Sequence, residues 1–320
     1  MTRLHGWLLA AAAAILLALP AVLGSRALTV FVFIFFYAYL GQAWNLISGY
    51  GGQLSAGHAA FVGVGAYTTT LLAMHAGVSP WLGLFAGGAL AAVLGAVVGF
   101  LGFRFGLRGF YFVLLTVAFA EVCRIVALNT DALGGAIGLY IQFTGDPWQL
   151  HFPDNRGYYY VALALMLVAT GVAALVERSR LGAYLTAIRE DEDAAEALGV
   201  DTLRYKLIAI VLSAFLTGIG GAFYANYLFS LQPNAVFGIP LSVDIILRPI
   251  VGGAGTLMGP ILGSFILSPL AELSRSYFSR AGLVGSHLVV YGLLLIAVVL
   301  FLPHGAYPPL ARALGLRKPA

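Results

Sequence analysis

Polar side chains that interrupt long apolar runs are the positions where this sequence could perform chemistry. Asn45 stands before a cluster of glycines, and Gln53, Ser55 and His58 follow that cluster. Inside a bilayer such groups must be paired or wetted, so they either satisfy one another in the packing or line a polar path. For Gln53, Ser55 and His58 both interpretations remain open, and with Asn45 they form the candidate lining of a path for a polar solute.

Two pairs of opposite charges also fall within apolar runs. Glu121 and Arg124 are three residues apart, so they can meet on one face of a helix, and Asp244 and Arg248 are four apart with the same consequence. An unpaired charge at the centre of a bilayer costs about 2.5–3.5 kcal/mol, and pairing removes much of that cost. We take Glu121 and Arg124 as further candidates for the polar path. Asp244 with Arg248 is interpreted as a structural brace beside an unusually short span.

Catalytic and metal-binding patterns are missing from the sequence. No other histidine stands at a ligand spacing from His58, so no metal site is predicted. Lys206 and Lys318 do not belong to a Gly-x-x-x-x-Gly-Lys-Ser/Thr loop for ATP, and neither a His-Glu-x-x-His nor a Gly-x-Ser-x-Gly motif occurs. Ser55 with His58 or His287 lacks the third group of a nucleophile–base–orienter set. The sequence therefore predicts no catalytic residue and no cofactor in this chain, which is not expected to be an enzyme.

The composition places the chain in the membrane class. Of 320 residues, 61% are hydrophobic and 9% are charged, and the mean hydropathy is +0.94. A soluble domain carries about a quarter charged residues, so this chain could not cover a globular surface with polar groups. These values exclude a soluble enzyme and a nucleic-acid-binding protein, and the single cysteine, Cys123, excludes a disulfide scaffold.

Long, uniformly apolar runs predict an all-α, polytopic bundle of about ten membrane-spanning helices. Barrel strands would alternate in polarity and would extend over only about ten residues. The predicted spans are 7–23, 28–47, 57–76, 81–103, 109–128, 158–176, 207–229, 240–252, 256–273 and 284–302. The run at 240–252 is short of the roughly 20 residues that a crossing needs, and Gly252 and Gly253 follow, so we expect a broken or half-length helix there.

The spans divide the chain into five parts. Residues 1–27 form either a first transmembrane helix, which we prefer, or a signal-like segment. An N-terminal bundle at 28–176 contains an outer loop at 129–157, a C-terminal bundle covers 207–305, and a tail follows at 306–320. Basic residues concentrate on one side of this arrangement, which predicts that both termini are cytoplasmic.

The remaining part, residues 177–206, is a cytoplasmic loop with seven acidic and five basic residues. Apolar residues recur in it at helical spacing, which predicts one short amphipathic helix that Gly199 ends in a left-handed cap. The apolar face of that helix consists of Leu181, Leu185, Ile188, Ala195 and Leu198. Because residues 190–193 are all acidic, an anionic lipid surface would repel the helix, and a groove on a protein partner suits it better.

Three sequence runs together resemble the signature of a known family. They are WNLISGYGGQLSAGHAAF at 44–61, AIRE at 187–190 leading into AAEALG at 194–199, and GGAGTLMGP at 252–260. This combination resembles the branched-chain amino acid permeases of ATP-binding-cassette transporters, over nearly the whole chain from about residue 28 to 305. The arrangement is most similar to the M-type subunit of the importer for leucine, isoleucine and valine.

The resemblance implies a multi-pass permease subunit in the inner (plasma) membrane of a bacterium, which imports branched-chain or other neutral amino acids. It implies pairing with a second homologous permease and with two cytoplasmic ATPases, which would use ATP and Mg²⁺. A periplasmic binding protein would deliver the substrate. The surroundings would be the lipid bilayer and these proteins, with no nucleic acid.

In such permeases the cytoplasmic loop carries the helix that couples to the ATPases. Carried onto this sequence, the coupling residues are the apolar face defined above together with Arg189, Glu190, Glu196 and Gly199. The Glu-Ala-x-x-Gly element of the family is one residue shorter here, where Glu196 and Ala197 lead through Leu198 to Gly199. Two alternatives stay open. One is an ion-coupled secondary transporter of a small polar solute with Glu121 as its ion site, and the other is an importer of the same family for urea or short amides.

Overall fold

The computed structural model describes residues 16–280, 292–293, 296 and 305–313, most of them in helices. Residues 16–22 are helical, and a π-helix at Asn45–Tyr50 continues α1. The α-helices are α1 (Ser25–Trp44), α2 (His58–Ala76), α3 (Pro80–Arg104), α4 (Phe110–Asn129), α5 (Asn155–Arg178), α6 (Arg180–Glu190), α7 (Glu192–Ala197), α8 (Thr202–Leu228), α9 (Pro233–Val236), α10 (Ile239–Gly252), α11 (Gly259–Arg280) and α12 (Tyr307–Ala313). The other elements are 3₁₀ turns at Asp131–Leu133 and Pro147–Gln149 and two strands, β1 (Leu139–Tyr140) and β2 (Ser230–Leu231).

Seven stretches of the described residues are long and apolar enough to cross a membrane, and each overlaps a predicted span. They are Ser25–Tyr50, His58–Ala76, Pro80–Arg104, Phe110–Asn129, Asn155–Arg178, Thr202–Leu228 and Pro233–Gly252. The span predicted at 256–273 is also helical, as α11. The spans predicted at 7–23 and 284–302 lie largely outside the described residues, so the count of about ten stays a prediction. Helices of this length and composition indicate an integral membrane protein.

The helix predicted at 240–252 is short by itself, as expected, and it reaches the 20 residues of the stretch Pro233–Gly252 only together with the helical turn before it. α10 has 14 residues, about 21 Å of helix, whereas the hydrocarbon core of a bilayer is about 30 Å thick. The four-residue α9 precedes it, and Gly253, with a φ of 122°, ends it. Protein covers the backbone freed at this end, since a Cβ on Gly252 would overlap the carbonyl oxygen of Gly259.

Glycines let the central helices α2, α3 and α8 pack backbone to backbone. A Cβ on Gly65 of α2 would overlap the carbonyl oxygen of Gly218 in α8. A Cβ on Gly87 of α3 would lie 2.6 Å from the carbonyl oxygen of the same Gly65. Small residues at such contacts are the usual means by which membrane helices approach closely. The three helices therefore form the closely packed centre of the bundle.

The helices place two loops at opposite ends of the bundle. α5 begins at Asn155 and ends at Arg178, so about 36 Å of helix separates the loop before it from the loop after it. At the first end, β1 pairs antiparallel with β2, with Leu139 opposite Leu231, and Asn155 donates to Thr29 Oγ1 at 2.8 Å. Following the orientation predicted from the basic residues, we call this the outer end. The inner end carries residues 177–206, which we call the charged loop.

Candidate functional site

The charged loop folds into two short helices. The Ser179 side chain caps α6 by accepting from the backbone N–H of Gly182. Asp191 has an extended backbone, ends α6, and caps α7 by accepting from the N–H of Ala194 at 3.0 Å. The prediction of one continuous helix is wrong, because this Asp191 cap starts a second helix. The left-handed conformation predicted at Gly199 is confirmed by its φ of 85°.

The apolar face of the charged loop turns toward the bundle. Leu185 is fully buried, and Ile188 and Ala195 are each 3% exposed. Leu181 is half-buried against the same core, whereas Leu198 is 86% exposed. The expectation that these five residues together present one face to a partner is therefore wrong. Four of them pack within this chain, since burial against its own helices already removes that apolar surface from water.

The surface that the charged loop leaves exposed is polar with one apolar tip. Arg189 is exposed but is held by Gly49 and Glu190. The other exposed members of the predicted coupling set are Glu190, Glu196, Leu198 and Gly199. We call these four residues the inner docking surface. Their contact with an ATPase stays a prediction.

Arg189 fastens the charged loop to the π-helix that continues α1 and to the glycine turn after it. Its Nη1 donates to the carbonyl oxygen of Gly49 at 3.1 Å, and its Nη2 lies 2.9 Å from Glu190 Oε1. The stem of Arg189 passes close to Gly52, where a Cβ would lie 2.7 Å from the Arg189 Cγ. Gly52 also has a φ of 66°, so both its backbone and its surroundings favour glycine.

Ion pairs join the charged loop to two further elements. Arg108, in the α3–α4 connection, lies 2.9 Å from Asp193 and 3.2 Å from Glu192. Lys206 of α8 pairs with the same Glu192, and its Nζ lies 4.9 Å from the centre of the Phe103 ring. The hydrogen bond from Arg108 holds the pKa of Asp193 below its ordinary value, and the same bond raises the pKa of Arg108. Because Lys206 is 2% exposed, its charge needs Glu192 as compensation.

Asn45, the first of the predicted path residues, acts as a clamp. Its amide oxygen accepts from the N–H of Gly255 at 2.8 Å, and its amide nitrogen donates to the carbonyl oxygen of Thr256 at 3.0 Å. The side chain is fully buried. Both ends of the amide therefore hold the α10–α11 connection against the end of α1, which places Asn45 in packing contacts.

Ser55 and His58 belong to a buried chain of hydrogen bonds that ends on Ser213. Ser213 Oγ donates to the carbonyl oxygen of Ala43 at 2.7 Å and accepts from His58 Nε2 at 2.9 Å. His58 Nδ1 accepts from Ser55 Oγ at 2.9 Å, so a neutral imidazole satisfies every group. The three side chains are fully buried, which favours the packing interpretation for Ser55 and His58. The Gln53 amide oxygen has no partner among the described residues, so Gln53 remains a path candidate.

Glu121 and Arg124 meet as their spacing predicts, but on the outside of this chain. Arg124 donates to the two carboxylate oxygens of Glu121 at 2.5 and 2.8 Å and to Asn234 Oδ1 at 2.7 Å. The Glu121 side chain is 42% exposed and that of Arg124 is 25% exposed. Val122 and Ile125 beside them are also exposed. The pair thus lies on an outward face of α4 rather than within the bundle.

A cavity of about 500 Å³ between α1, α8, α10 and α11 contains a second group of charges. Arg248 is 1% exposed, and its Nη1 lies 3.4 Å from Asp244 Oδ1. Its guanidinium carbon lies 3.4 Å from the centre of the Tyr37 ring, so the pair does brace α10 against α1. Ser268 and Glu272 of α11 line the same cavity. We call it the polar cavity.

Sequence reasoning missed Ser268 and Glu272 as members of a site. Both lie four residues apart in the predicted span 256–273, which is the same spacing as that of Asp244 and Arg248 in the preceding span. In each of two consecutive apolar runs, a pair of polar residues is spaced one helical turn apart. This repeated pattern is a signal that could have located the cavity. The pairing of α10 with α11 in space was the missing information.

Comparison with known proteins gives one consistent family. Residues 26–299 match a family model described as branched-chain amino acid transport system / permease component. The chain is 30% identical over 296 residues to the high-affinity branched-chain amino acid transport system permease protein LivM of Escherichia coli. The aligned region makes up 85% of this chain and 68% of that protein. It is 26% identical over 261 residues to the probable branched-chain amino acid transport permease protein LivH of Methanocaldococcus jannaschii. That alignment covers 76% of this chain and 79% of the relative.

A more distant similarity extends to a permease named for a sugar. The ribose import permease protein RbsC of Haemophilus influenzae is 27% identical over 149 residues, which are 41% of this chain and 46% of that protein. No solved structure matches this chain.

Proposed function

Because the chain belongs to the branched-chain amino acid transport permease family, we propose that it is the membrane-spanning subunit of an ATP-binding-cassette importer. The cargo is a branched-chain or other neutral amino acid delivered by a periplasmic binding protein. The membrane is the bacterial inner membrane, with both termini in the cytoplasm. ATP and Mg²⁺ are used by two partner ATPases and not by this chain.

A second, homologous permease is the proposed neighbour within the membrane. The outward face of α4 supports this part of the proposal. Val122 is 56% exposed and Ile125 is 47% exposed beside the Glu121–Arg124 pair. Charges at this depth are costly against lipid chains, whereas a protein neighbour can cover the pair and the apolar residues together.

The way in which the charged loop is fixed to the bundle carries the proposal. Arg189, Arg108 and Lys206 join the loop to the end of α1, to the α3–α4 connection and to α8. A loop held at three places moves with the helices that hold it, as an element that transmits motion from an ATPase must. The inner docking surface is acidic, so anionic lipid repels it, and a basic groove with a small apolar pocket complements it.

The exposed tip of the inner docking surface provides a direct test. We expect Leu198→Arg, in the complete importer, to lower the amount of ATPase bound to membranes about tenfold, as loss of a central apolar contact does at interfaces. The matched control is Ile137→Arg, which changes a 75% exposed apolar residue at the outer end and should leave recruitment unchanged. Undiminished recruitment in Leu198→Arg membranes would show that the ATPases do not use this surface.

A further inference from the structure

We propose that the polar cavity holds both charged ends of a zwitterionic α-amino acid that has an apolar side chain. This inference rests on the proposed function, because it names the place in this chain where the imported amino acid binds. The chemistry required is a pair of donors for the carboxylate, a carboxylate for the ammonium group and an apolar wall for the side chain.

The polar cavity lies in the part of the bundle nearest the outer end. Among the residues that line it, Val30 lies near the start of α1, Leu228 ends α8 and Ile239 begins α10. Arg248 stands nine residues further along α10, about 14 Å deeper in the membrane. An amino acid that enters from the outer end would therefore meet the apolar rim first and the guanidinium last.

Two buried donors in the cavity lack an acceptor. Arg248 is 1% exposed and Ser268 is 5% exposed, and both line the cavity. The Arg248 Nε and the Ser268 Oγ form no hydrogen bond with any residue that the structure describes. A buried donor without a partner costs about 1–3 kcal/mol, and more when it is charged. A carboxylate is the acceptor that best satisfies a guanidinium and a hydroxyl together.

The carboxylates of the cavity outnumber its guanidinium. Asp244 and Glu272 both line it, and among the described lining residues only Arg248 carries a positive charge. Asp244 is already engaged by Arg248 at 3.4 Å, which leaves the surplus negative charge for a ligand. An ammonium group can pair with Glu272 while a carboxylate on the same ligand accepts from the Arg248 Nε and the Ser268 Oγ, so the cavity favours a ligand that carries both ends.

The remaining wall suits an aliphatic side chain. Val30, Val243 and Leu247 contribute apolar surface, and the volume of about 500 Å³ is ample for an amino acid of the size of leucine. A ligand that lacks either charged end leaves buried polar groups unpaired, and a site of this kind discriminates strongly against it.

The test measures binding to the membrane complex itself. The two permeases and the ATPases are held in nanodiscs without the binding protein, and the midpoint of thermal unfolding is followed as a ligand is added. The probes are L-leucine, leucinamide, which lacks the carboxylate, and 4-methylpentanoate, which lacks the ammonium group. We expect L-leucine to raise the midpoint at concentrations at least about tenfold lower than those of either analogue.

Variants assign the two ends of the ligand. Ser268→Ala should raise the half-maximal concentration of L-leucine about tenfold. Glu272→Gln should weaken L-leucine and leucinamide but leave 4-methylpentanoate unchanged. The matched control is Ser264→Ala, because Ser264 is buried one turn earlier on α11 and donates to the carbonyl oxygen of Pro260 at 2.8 Å.

The outcomes separate this inference from the proposed function. If L-leucine stabilises the Ser268→Ala and Glu272→Gln complexes as well as it stabilises the wild type, or if 4-methylpentanoate matches L-leucine, the cavity is not the binding site. The proposed function then stands as long as the wild-type importer takes up L-leucine with ATP and the binding protein. Absence of ATP-dependent uptake of every branched-chain and other neutral amino acid would overturn the proposed function itself.

Discussion

Arg108 and Asp193 lie 2.9 Å apart although 85 residues separate them in the chain. Their hydrogen bond joins the α3–α4 connection to the second helix of the charged loop, and these two elements are distant from each other in the sequence. The two side chains are 49% and 77% exposed, so the bond adds little to the free energy of unfolding. Its role is positional, because it holds the second helix of the loop against the α3–α4 connection.

Removal of this link should uncouple transport from ATP hydrolysis. We expect Arg108→Gln to lower the amount of amino acid imported per ATP hydrolysed, with only a small change in the midpoint of thermal unfolding. The control is Arg104→Gln, because Arg104 is the exposed last residue of α3, four residues before Arg108, and forms no ion pair with any described residue. An unchanged ratio of import to hydrolysis in Arg108→Gln would contradict the positional role.

The pH dependence of the link follows from the pKa of Asp193. The hydrogen bond from Arg108 lowers that pKa below its ordinary value of 3.8. A carboxyl group whose pKa is lower in the folded state stabilises the fold above its unfolded pKa, and this contribution is lost as the pH falls through the folded pKa. Spin labels at Phe105 and Ala194 should therefore keep a narrow distance distribution from pH 7 to about 4 and broaden below that. A broad distance distribution already at pH 6 would contradict the role given to the Arg108–Asp193 hydrogen bond. In Arg108→Gln, which lacks that bond, the distribution should be broad at every pH measured.

The hydrogen-bond chain through His58 predicts a loss of stability rather than of transport. His58→Ala leaves the Ser55 hydroxyl without its acceptor, whereas the Ser213 hydroxyl keeps its hydrogen bond to the carbonyl oxygen of Ala43. The orphaned Ser55 hydroxyl costs about 1–3 kcal/mol of unfolding free energy. Uptake per folded importer should be nearly unchanged. The comparison is His75→Ala, because His75 is exposed at the end of α2. Normal stability combined with lost uptake in His58→Ala would place His58 on the transport path instead.

The backbone contact between α2 and α8 predicts that Gly65 accepts no side chain. A methyl group there would overlap the carbonyl oxygen of Gly218, which is backbone and cannot rotate away. We expect Gly65→Ala to abolish the folded fraction recovered by size-exclusion chromatography after detergent extraction. Gly171→Ala is the control, because a Cβ at Gly171 on α5 would meet nothing within 4 Å. Equal recovery of the two variants would show that the helices can separate at this contact.

Hydropathy predicted the membrane helices closely because long apolar runs and the residues that end them are both visible in the sequence. The span predicted at 57–76 is α2, His58–Ala76, and the short run at 240–252 is α10, Ile239–Gly252. Their ends coincide with glycines and prolines, which interrupt helices for local reasons that a sequence displays.

Side-chain direction was harder to predict than helix position. The spacing of Leu185 and Ile188 showed that they share a face, but the same pattern arises whether that face meets a partner or the chain's own bundle. Leu185 is 0% exposed and Ile188 is 3% exposed, which shows that the face meets the chain's own bundle. The polar cavity was missed for a related reason, since Arg248 and Ser268 come together only when α10 lies against α11.

Uptake of radiolabelled L-leucine into proteoliposomes tests most directly whether this chain is a permease driven by partner ATPases. Three preparations are compared: the complete importer with ATP and the binding protein, the same importer without ATP, and this chain alone under a proton or sodium gradient. We predict accumulation in the first preparation only, and uptake that still depends on ATP in a complete importer that carries Glu121→Gln. Accumulation by the chain alone under a gradient, abolished by Glu121→Gln, would contradict the proposal and identify an ion-coupled transporter.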